Sequence, residues 1–521
     1  MRHSLPIRYI ALSYVWGRTE GVFKNIKSKR RELFEDGSLS NHWGELPATV
    51  KDAILLTEAL AIPYLWVDRL CIVQDDNESL KHNISWMASI YANTYFTIIA
   101  TEGADDEFGL RGTGAESKPR DFYPFWYFND VQLAGDYFTE EKQTWHTRAW
   151  TFQERAVSKR CLVFFRGTVK WECQEWEVHE HVPFGIRSHY RESWPRHNIS
   201  IVPWPDYNQY CTLSSAFSER EIRFQNDALK AFTAIINSFA PTFPGGFMHA
   251  LPEFVFDFAL AWKHEGEASR RPMFPSWSWI GWNGKTRMQE WFPLLGQLSS
   301  RRPMVRWLKK RVDIGILEPI DNSYREWCLF ENNNSIDLPD GWERHFESDG
   351  SMYYRFCGDF SSTYGTGSVT KYRHPIPVTW SADLGTNPPD ANIFQPFLYG
   401  LVQSTTCILG SQLETAELQD PIPVNIHNEQ GSWIGVMEAN NHAYTIGTEC
   451  TVIAISRVTQ AAGYEIESRS KPEVRNEGLY SFIQVLWISW DGNIAYRKGV
   501  GRIWKKKWEE MEAKKINIVL G

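Results

Sequence analysis

The amino-acid sequence predicts a doubly wound, mostly parallel α/β sheet at the N-terminus, then a helical segment, then a β-rich C-terminal region. Three observations predict it. Over the first 170 residues, short β-rich runs alternate with stretches of helical periodicity. The connections between them are mostly short, which favours parallel strands with helices on both faces. The run 64–72 (YLWVDRLCI) is almost continuously apolar, as in a strand covered on both faces until it reaches a polar end.

The first strand is residues 8–15 (RYIALSYV), closed by Trp16-Gly17. A polar stretch rich in Lys and Arg follows to about residue 45. Leu46-Pro47 opens a helix, with proline at a tolerated first-turn position, and Val50, Ala53, Ile54, Leu60 and Ala61 mostly keep helical spacing. Ile62-Pro63 ends it. The second strand, 64–72, contains Asp68 and Arg69. Gln74, Asp75, Asp76 and Asn77 form a loop and cap for a helix carrying Leu80, Ile84, Met87, Ala88 and Tyr91. Residues 95–101 (YFTIIAT) are the third strand. After a polar excursion over 102–144, residues 147–158 read as a helix and 160–165 (RCLVFF) as the fourth strand. Polar groups at the carboxyl ends of such strands gather in one crevice.

Beyond 170 the pattern changes. Residues 205–265 look helical, above all 219–238, and 274–284 (FPSWSWIGWNG) are aromatic and turn-rich. Strand-like runs at 397–409, 450–456 and 480–490 place β structure in the last third. The expected units are 1–170, 171–300 and 301–521. Residues 338–356 resemble the first two strands of a WW module, with Tyr372 and Pro375 loosely echoing its second half. The second Trp is missing, so a plain β-hairpin is the simpler reading.

Composition narrows the function. The formal net charge of -8 implies no general attraction to nucleic acid or to anionic membranes. The basic run Arg301, Arg302, Arg306, Lys309, Lys310 and Arg311 reads as a solvated face or linker. The eight cysteines include no CxxC pair, so neither a zinc site nor a redox motif is indicated. No apolar run reaches the length of a membrane span, and no signal peptide is evident, so a reducing, cytoplasmic setting is expected. The 25 tryptophans predict wide aromatic cores.

Three segments, in order, resemble the heterokaryon incompatibility (HET) domain family. They are Tyr9-Ile-Ala-Leu-Ser-Tyr-Val-Trp-Gly17; Leu46 to Ala53 leading into Tyr64 to Asp76 and Met87 to Tyr91; and Arg148-Ala-Trp-Thr-Phe-Gln-Glu154 with Ser158 and Arg160. The segments 274–282 and 493–502 resemble downstream parts of large fungal proteins of this group. The sequence departs mildly from the family pattern at Arg69, where a small polar residue is usual, and at Ala149, where glycine is usual.

The resemblance implies a fungal protein of non-self recognition and regulated cell death. It also implies a layout similar to TIR and flavodoxin-like domains. Some TIR domains cleave NAD+ with a glutamate on the helix after the third strand, often four residues after a Trp. Trp150 and Glu154 have that spacing. Cleavage of the ribose–nicotinamide bond passes through an oxocarbenium-like state, and nicotinamide leaves without a general acid, so one carboxylate can supply the stabilisation. Glu154 is the catalytic candidate and Trp150 a stacking surface. Ser13, Tyr14 and Trp16 lie at the first strand's tip. Asp68, Gln74 and Asp75 are candidates for ribose hydroxyls. NAD+ would be substrate; no metal or bound cofactor is expected, and GxGxxG is absent.

Each residue also has a structural reading. Glu154 would be a helix-surface or ion-paired residue, Trp150 and Trp66 core, Cys71 a small buried hydrophobe, and Asp68 part of a network with Arg148 or a backbone cap. The functional alternative is a non-enzymatic signalling module working by self-association or partner binding.

Overall fold

A computed structural model describes residues 7–17, 21–121, 126–128, 131–133, 142–173, 177–180, 206–288, 300–320, 342–346, 352–356, 394–413, 423–439, 444–462 and 465–521. Its N-terminal part is a mixed α/β layer structure. β1 (Tyr9–Ser13) is followed by α1 (Ala48–Ala59), β2 (Tyr64–Trp66), α2 (Asp68–Cys71), α3 (Asn77–Ala92) and β3 (Phe96–Ala100). Then come α4 (Thr144–Thr147), α5 (Ala149–Val157), β4 (Arg160–Phe165), β5 (Thr168–Cys173) and β6 (Glu177–His179).

The sheet order is β2-β1-β3-β4-β5-β6. The first four strands are mutually parallel, and β5 and β6 add antiparallel at one edge. That antiparallel hairpin was not foreseen.

Alternation along β1 explains the layering. Ile10 and Leu12 pack with Val50 and Ala53 of α1, while Ala11 packs with Met87 and Tyr91 of α3 on the opposite face. Ser13 continues the Ala11 side. The chain leaves β1 toward β2 on one side and β3 toward β4 on the other, so the strand order reverses between β1 and β3, where a crevice forms at the strand ends.

Three expectations need correction. Asp68 and Arg69 do not lie in β2, which stops at Trp66. They begin the short α2, whose first carboxylate, that of Asp68, accepts the backbone N–H of Arg69 (2.7 Å to Oδ1). Residues 219–238 are not one helix: α6 (Tyr207–Ser218) ends before Glu219, and α7 (Ala228–Phe239) restarts after a 3-10 turn. Glu221 is drawn out to bridge with Arg148, its carbonyl accepting from Ala149 N at 3.1 Å. The basic run is not a uniformly solvated face either. Lys309 is buried against Glu253 (2.5 Å), and buried Arg301 donates to the Asp257 carbonyl and covers the Phe258 ring.

The C-terminal region holds β7 (Ser300–Pro303), β8 (Leu308–Arg311), β9 (Leu317–Pro319), β10 (Phe394–Gln412), β11 (Val424–His427), β12 (Trp433–Ala439), β13 (Glu449–Ala461), β14 (Leu479–Asp491), β15 (Ile494–Trp504) and β16 (Lys514–Leu520). Pairing runs β13-β14-β15-β12-β11-β10, and β10 pairs back onto β13, so six antiparallel strands close into a ring. Its interior is filled by side chains, including Cys407, Leu409, Ile426, Met437, Cys450, Val452, Val485 and Ile503. The strand-like runs expected at 397–409, 450–456 and 480–490 are the middles of β10, β13 and β14. The 342–346 and 352–356 strands pair as an antiparallel hairpin; Tyr372 and Pro375 lie outside the described residues.

An aromatic core joins these parts. Ala149, Phe152 and Ala156 of α5 pack with Phe217, Phe232, Trp277 and Trp279, and onward to Leu398, Ile453 and Leu486 of the β region. The two downstream segments singled out in the sequence meet here. Ser276 Oγ accepts from the backbone N–H of Arg497 (2.8 Å), and the Arg497 guanidinium lies over the Trp262 ring and donates to the carbonyls of Leu260 and Trp262.

Candidate functional site

The carboxyl ends of β1 and β2 carry a cluster of buried polar groups. Glu154 is at its centre. α5 is amphipathic by spacing: Phe152 turns to the aromatic core, against Phe217, while Glu154 turns to the end of β1. Glu154 is 7% exposed, and Ser13 Oγ donates to its Oε2 at 2.5 Å across 141 residues of sequence.

The donors can be counted. Trp145 Nε1 donates to Ser13 Oγ at 3.0 Å, so the serine's single hydrogen is left for Glu154. That bond favours the ionised carboxylate. Tyr91, also beside Glu154, commits its own hydroxyl hydrogen to the Leu12 carbonyl at 3.0 Å. Burial is the largest influence on Glu154 and raises its pKa; Ser13 pulls it down, the nearby Asp68 charge raises it, and Arg148 lowers it. The outcome is a carboxyl pushed up to about 7. Such a group is divided between acid and carboxylate near neutral pH.

A second carboxylate lies beside it. Asp68 accepts from Trp16 Nε1 at 2.7 Å, and burial raises its pKa. Its partners are therefore Trp16 and the Arg69 backbone N–H. Tyr14 is buried close to Asp68, and its hydroxyl has no hydrogen-bond partner among the described residues. Arg69 lies under the Trp16 ring and forms a buried ion pair with Asp106 at 2.5 Å. The loop after β3 delivers Asp106, tied down by Thr49 N to the Asp106 carbonyl (3.0 Å) and Leu110 N to Asp52 Oδ2 (2.7 Å). Gly17 makes room for it: a Cβ there would lie 2.1 Å from Asp106 Oδ1.

The remaining candidates divide. Gln74 supports the cluster from behind, donating to the carbonyls of Asp68 and Ile72 at 3.0 Å each. Asp75 is exposed and accepts from Lys27 N at 2.8 Å, so its carboxylate is spent on the polar stretch before α1. Trp150 is partly buried against the aromatic core. Cys71, expected to be buried, is exposed. The structure thus brings together Ser13, Tyr14, Trp16, Asp68 and Glu154, with Gln74 behind them. Sequence reasoning missed Trp145, Tyr91, Asp106 and Gly17 as partners. Gly17 carried a signal, since a glycine directly after a strand tip marks close backbone approach; the others did not.

Comparison with known proteins agrees with the strand-tip motifs. The family model described as heterokaryon incompatibility protein (HET) matches residues 9–154. Heterokaryon incompatibility protein 6, OR allele, of Neurospora crassa is 29% identical over 107 residues, which is 20% of this chain and 16% of that protein. The chain thus spans well under a fifth of that relative's length. No solved structure matches. Residues 9–154 of this chain are a domain of the heterokaryon incompatibility (HET) family, and the whole strand-tip cluster lies inside it.

Proposed function

We propose that this chain acts in the cytoplasm of a fungal cell in heterokaryon incompatibility, as a non-self recognition protein whose triggering ends in regulated cell death, and that its N-terminal domain cleaves NAD+. The relative's name supports the first part. The strand order β2-β1-β3-β4, which is that of flavodoxin-like sheets, supports a TIR-like layout.

One observation carries the chemistry: α5 delivers a glutamate to the carboxyl end of β1, at the point where the chain leaves the sheet in two directions. Ionised, Glu154 would stand beside the ribose carbon as positive charge develops and the nicotinamide nitrogen departs with the bonding electrons. Water then adds, giving ADP-ribose, nicotinamide and a proton. Ser13 holds the carboxylate in one orientation; Asp68 and Tyr14 offer an acceptor and a hydroxyl for the ribose.

The test uses the full chain, because cutting after residue 170 would strip the aromatic core from Phe152. Wild type and Glu154→Gln are incubated with NAD+ and nicotinamide release is followed. Turnover by the wild type and its loss in the variant is the expected result.

A second reading, a non-enzymatic module acting by self-association or partner binding, is favoured by the closure of the site. Glu154 is 7% exposed and already hydrogen-bonded, so substrate access requires the strand tips to open. No nicotinamide release by concentrated wild type, together with concentration-dependent association, would select that reading.

A further inference from the structure

The basic run at 301–311 divides in the fold. Arg301, Lys309 and Arg311 have partners. Arg302, Arg306 and Lys310 have no ion pair among the described residues. The run leads into the β8–β9 hairpin, whose four-residue loop is closed by Arg311 N to the Ile316 carbonyl at 2.9 Å and turns at Gly315 with φ +68°. At this tip Val312, Ile314, Ile316 and Leu317 are 58%, 55%, 55% and 45% exposed. Solvated hairpin loops normally carry polar residues; four aliphatic side chains within six positions form an exposed apolar projection.

We propose that this hairpin tip docks on a lipid bilayer, its four aliphatic side chains entering the acyl boundary while Lys310 lies against lipid phosphates. Four features favour a bilayer over a protein. The tip is a turn that projects its apolar side chains outward, which suits insertion into a fluid surface. Residues 312–317 include no Trp, Tyr or Arg, the side chains that anchor protein interfaces. Its one acid, Asp313, is held by Arg311 through two hydrogen bonds (3.0 and 2.7 Å), so its charge is already balanced. The edge strand β9 ends in Pro319, which lacks the N–H that strand addition by a second chain would use.

Lys310 fits the rim. It stands opposite Leu317 in the register, and its Cε lies 3.9 Å from where a Cβ on Gly315 would be, so its stem follows the apolar turn and its ammonium reaches the end of it. The overall charge of -8 opposes adsorption on anionic lipid at long range, so the apolar tip supplies the binding and Lys310 a local gain.

The experiment is flotation of the full-length protein with phosphatidylcholine vesicles, with and without phosphatidylserine. Wild type should float with both and more with phosphatidylserine. Ile314→Asp with Ile316→Asp should cut the bound fraction at least about tenfold. Lys310→Glu should abolish the phosphatidylserine increment. Ile314 and Ile316 are exposed, and Lys310 is half-buried with no ion pair among the described residues, so thermal unfolding should be unchanged. If the double aspartate variant unfolds, Ile314→Ser replaces it and should reduce binding by a smaller factor. Wild type that stays with the soluble fraction for both vesicles overturns the proposal. So does equal flotation of wild type and tip variants, or a tip-dependent dimer in lipid-free buffer.

Discussion

Two buried glutamates behave in opposite ways, one in each half of the molecule. Glu154 at the strand tips accepts from a hydroxyl and has no ion pair among the described residues, and its carboxyl is pushed up to about 7. Glu438 of β12 is buried as deeply, but Lys263 (2.9 Å) and Arg502 (3.1 Å) touch it. Burial works against its charge, yet the two cations win and its pKa is lowered. Arg502 also reaches Glu467 (2.7 Å) and Glu465 (3.3 Å), so one guanidinium organises the acids around β12 and β15. Depth of burial is thus not what separates an acid poised near neutrality from a structural one; the presence of a contacting cation is.

The strongest way to break the contrast is Arg502→Leu, which leaves Glu438 and Glu467 buried without their guanidinium. We expect a loss of about 3–5 kcal/mol in urea unfolding at neutral pH.

The contrast also predicts opposite pH slopes. Glu154 titrates higher in the folded chain than unfolded, so its contribution to stability is fully present below about pH 4.5 and is lost as pH rises through 7. Glu438 titrates lower when folded, so its contribution is present above its unfolded value and is lost as pH falls through the folded one. Glu154→Gln should therefore gain on the wild type by roughly 2 kcal/mol between pH 5 and pH 8, measured by paired denaturation curves. A constant difference across that range would mean the carboxyl is not raised.

Gly17→Ala sharpens the picture at the strand tips. The new methyl collides with Asp106 Oδ1, so that carboxylate must turn and its pair with Arg69 is strained. A loss of about 1–2 kcal/mol is expected in thermal unfolding. The smallest effect is that of Ser13→Ala, about 1 kcal/mol in stability. Its informative readout is a carboxyl-carbon NMR titration of Glu154, which should move to still higher pH; Ser13→Thr should restore it.

Much of the N-terminal sheet was legible because its strands announce themselves locally. β1, β3 and β4 were located within a residue or two, and the spacing in Leu46–Ala61 and Leu80–Tyr91 marked α1 and α3. The candidate Glu154 came from resemblance rather than pattern, since a lone glutamate in Thr151–Arg155 has no local signature. Its surroundings were invisible for another reason. Trp145 and Ser13 are 132 residues apart and Arg69 and Asp106 sit on different loops, so neither contact leaves a periodic trace. The placement of Asp68 in a strand failed because an apolar run looks the same whether its end is extended or coiled into a helical turn. The ring closure between β10 and β13 was likewise hidden: strand-like segments reveal alternation, not partners.

β10 carries a further implication. Its 19 residues bond successively to β8, β16, β13 and β11, so one uninterrupted ribbon belongs at once to the aromatic layer beneath α5 and to the sealed ring. Inside and outside swap with every position along such a ribbon. A single inserted residue near Gln403 would turn Cys407 and Leu409 outward while Leu398 kept its place, so length here is held to the exact residue even where identity is free to drift.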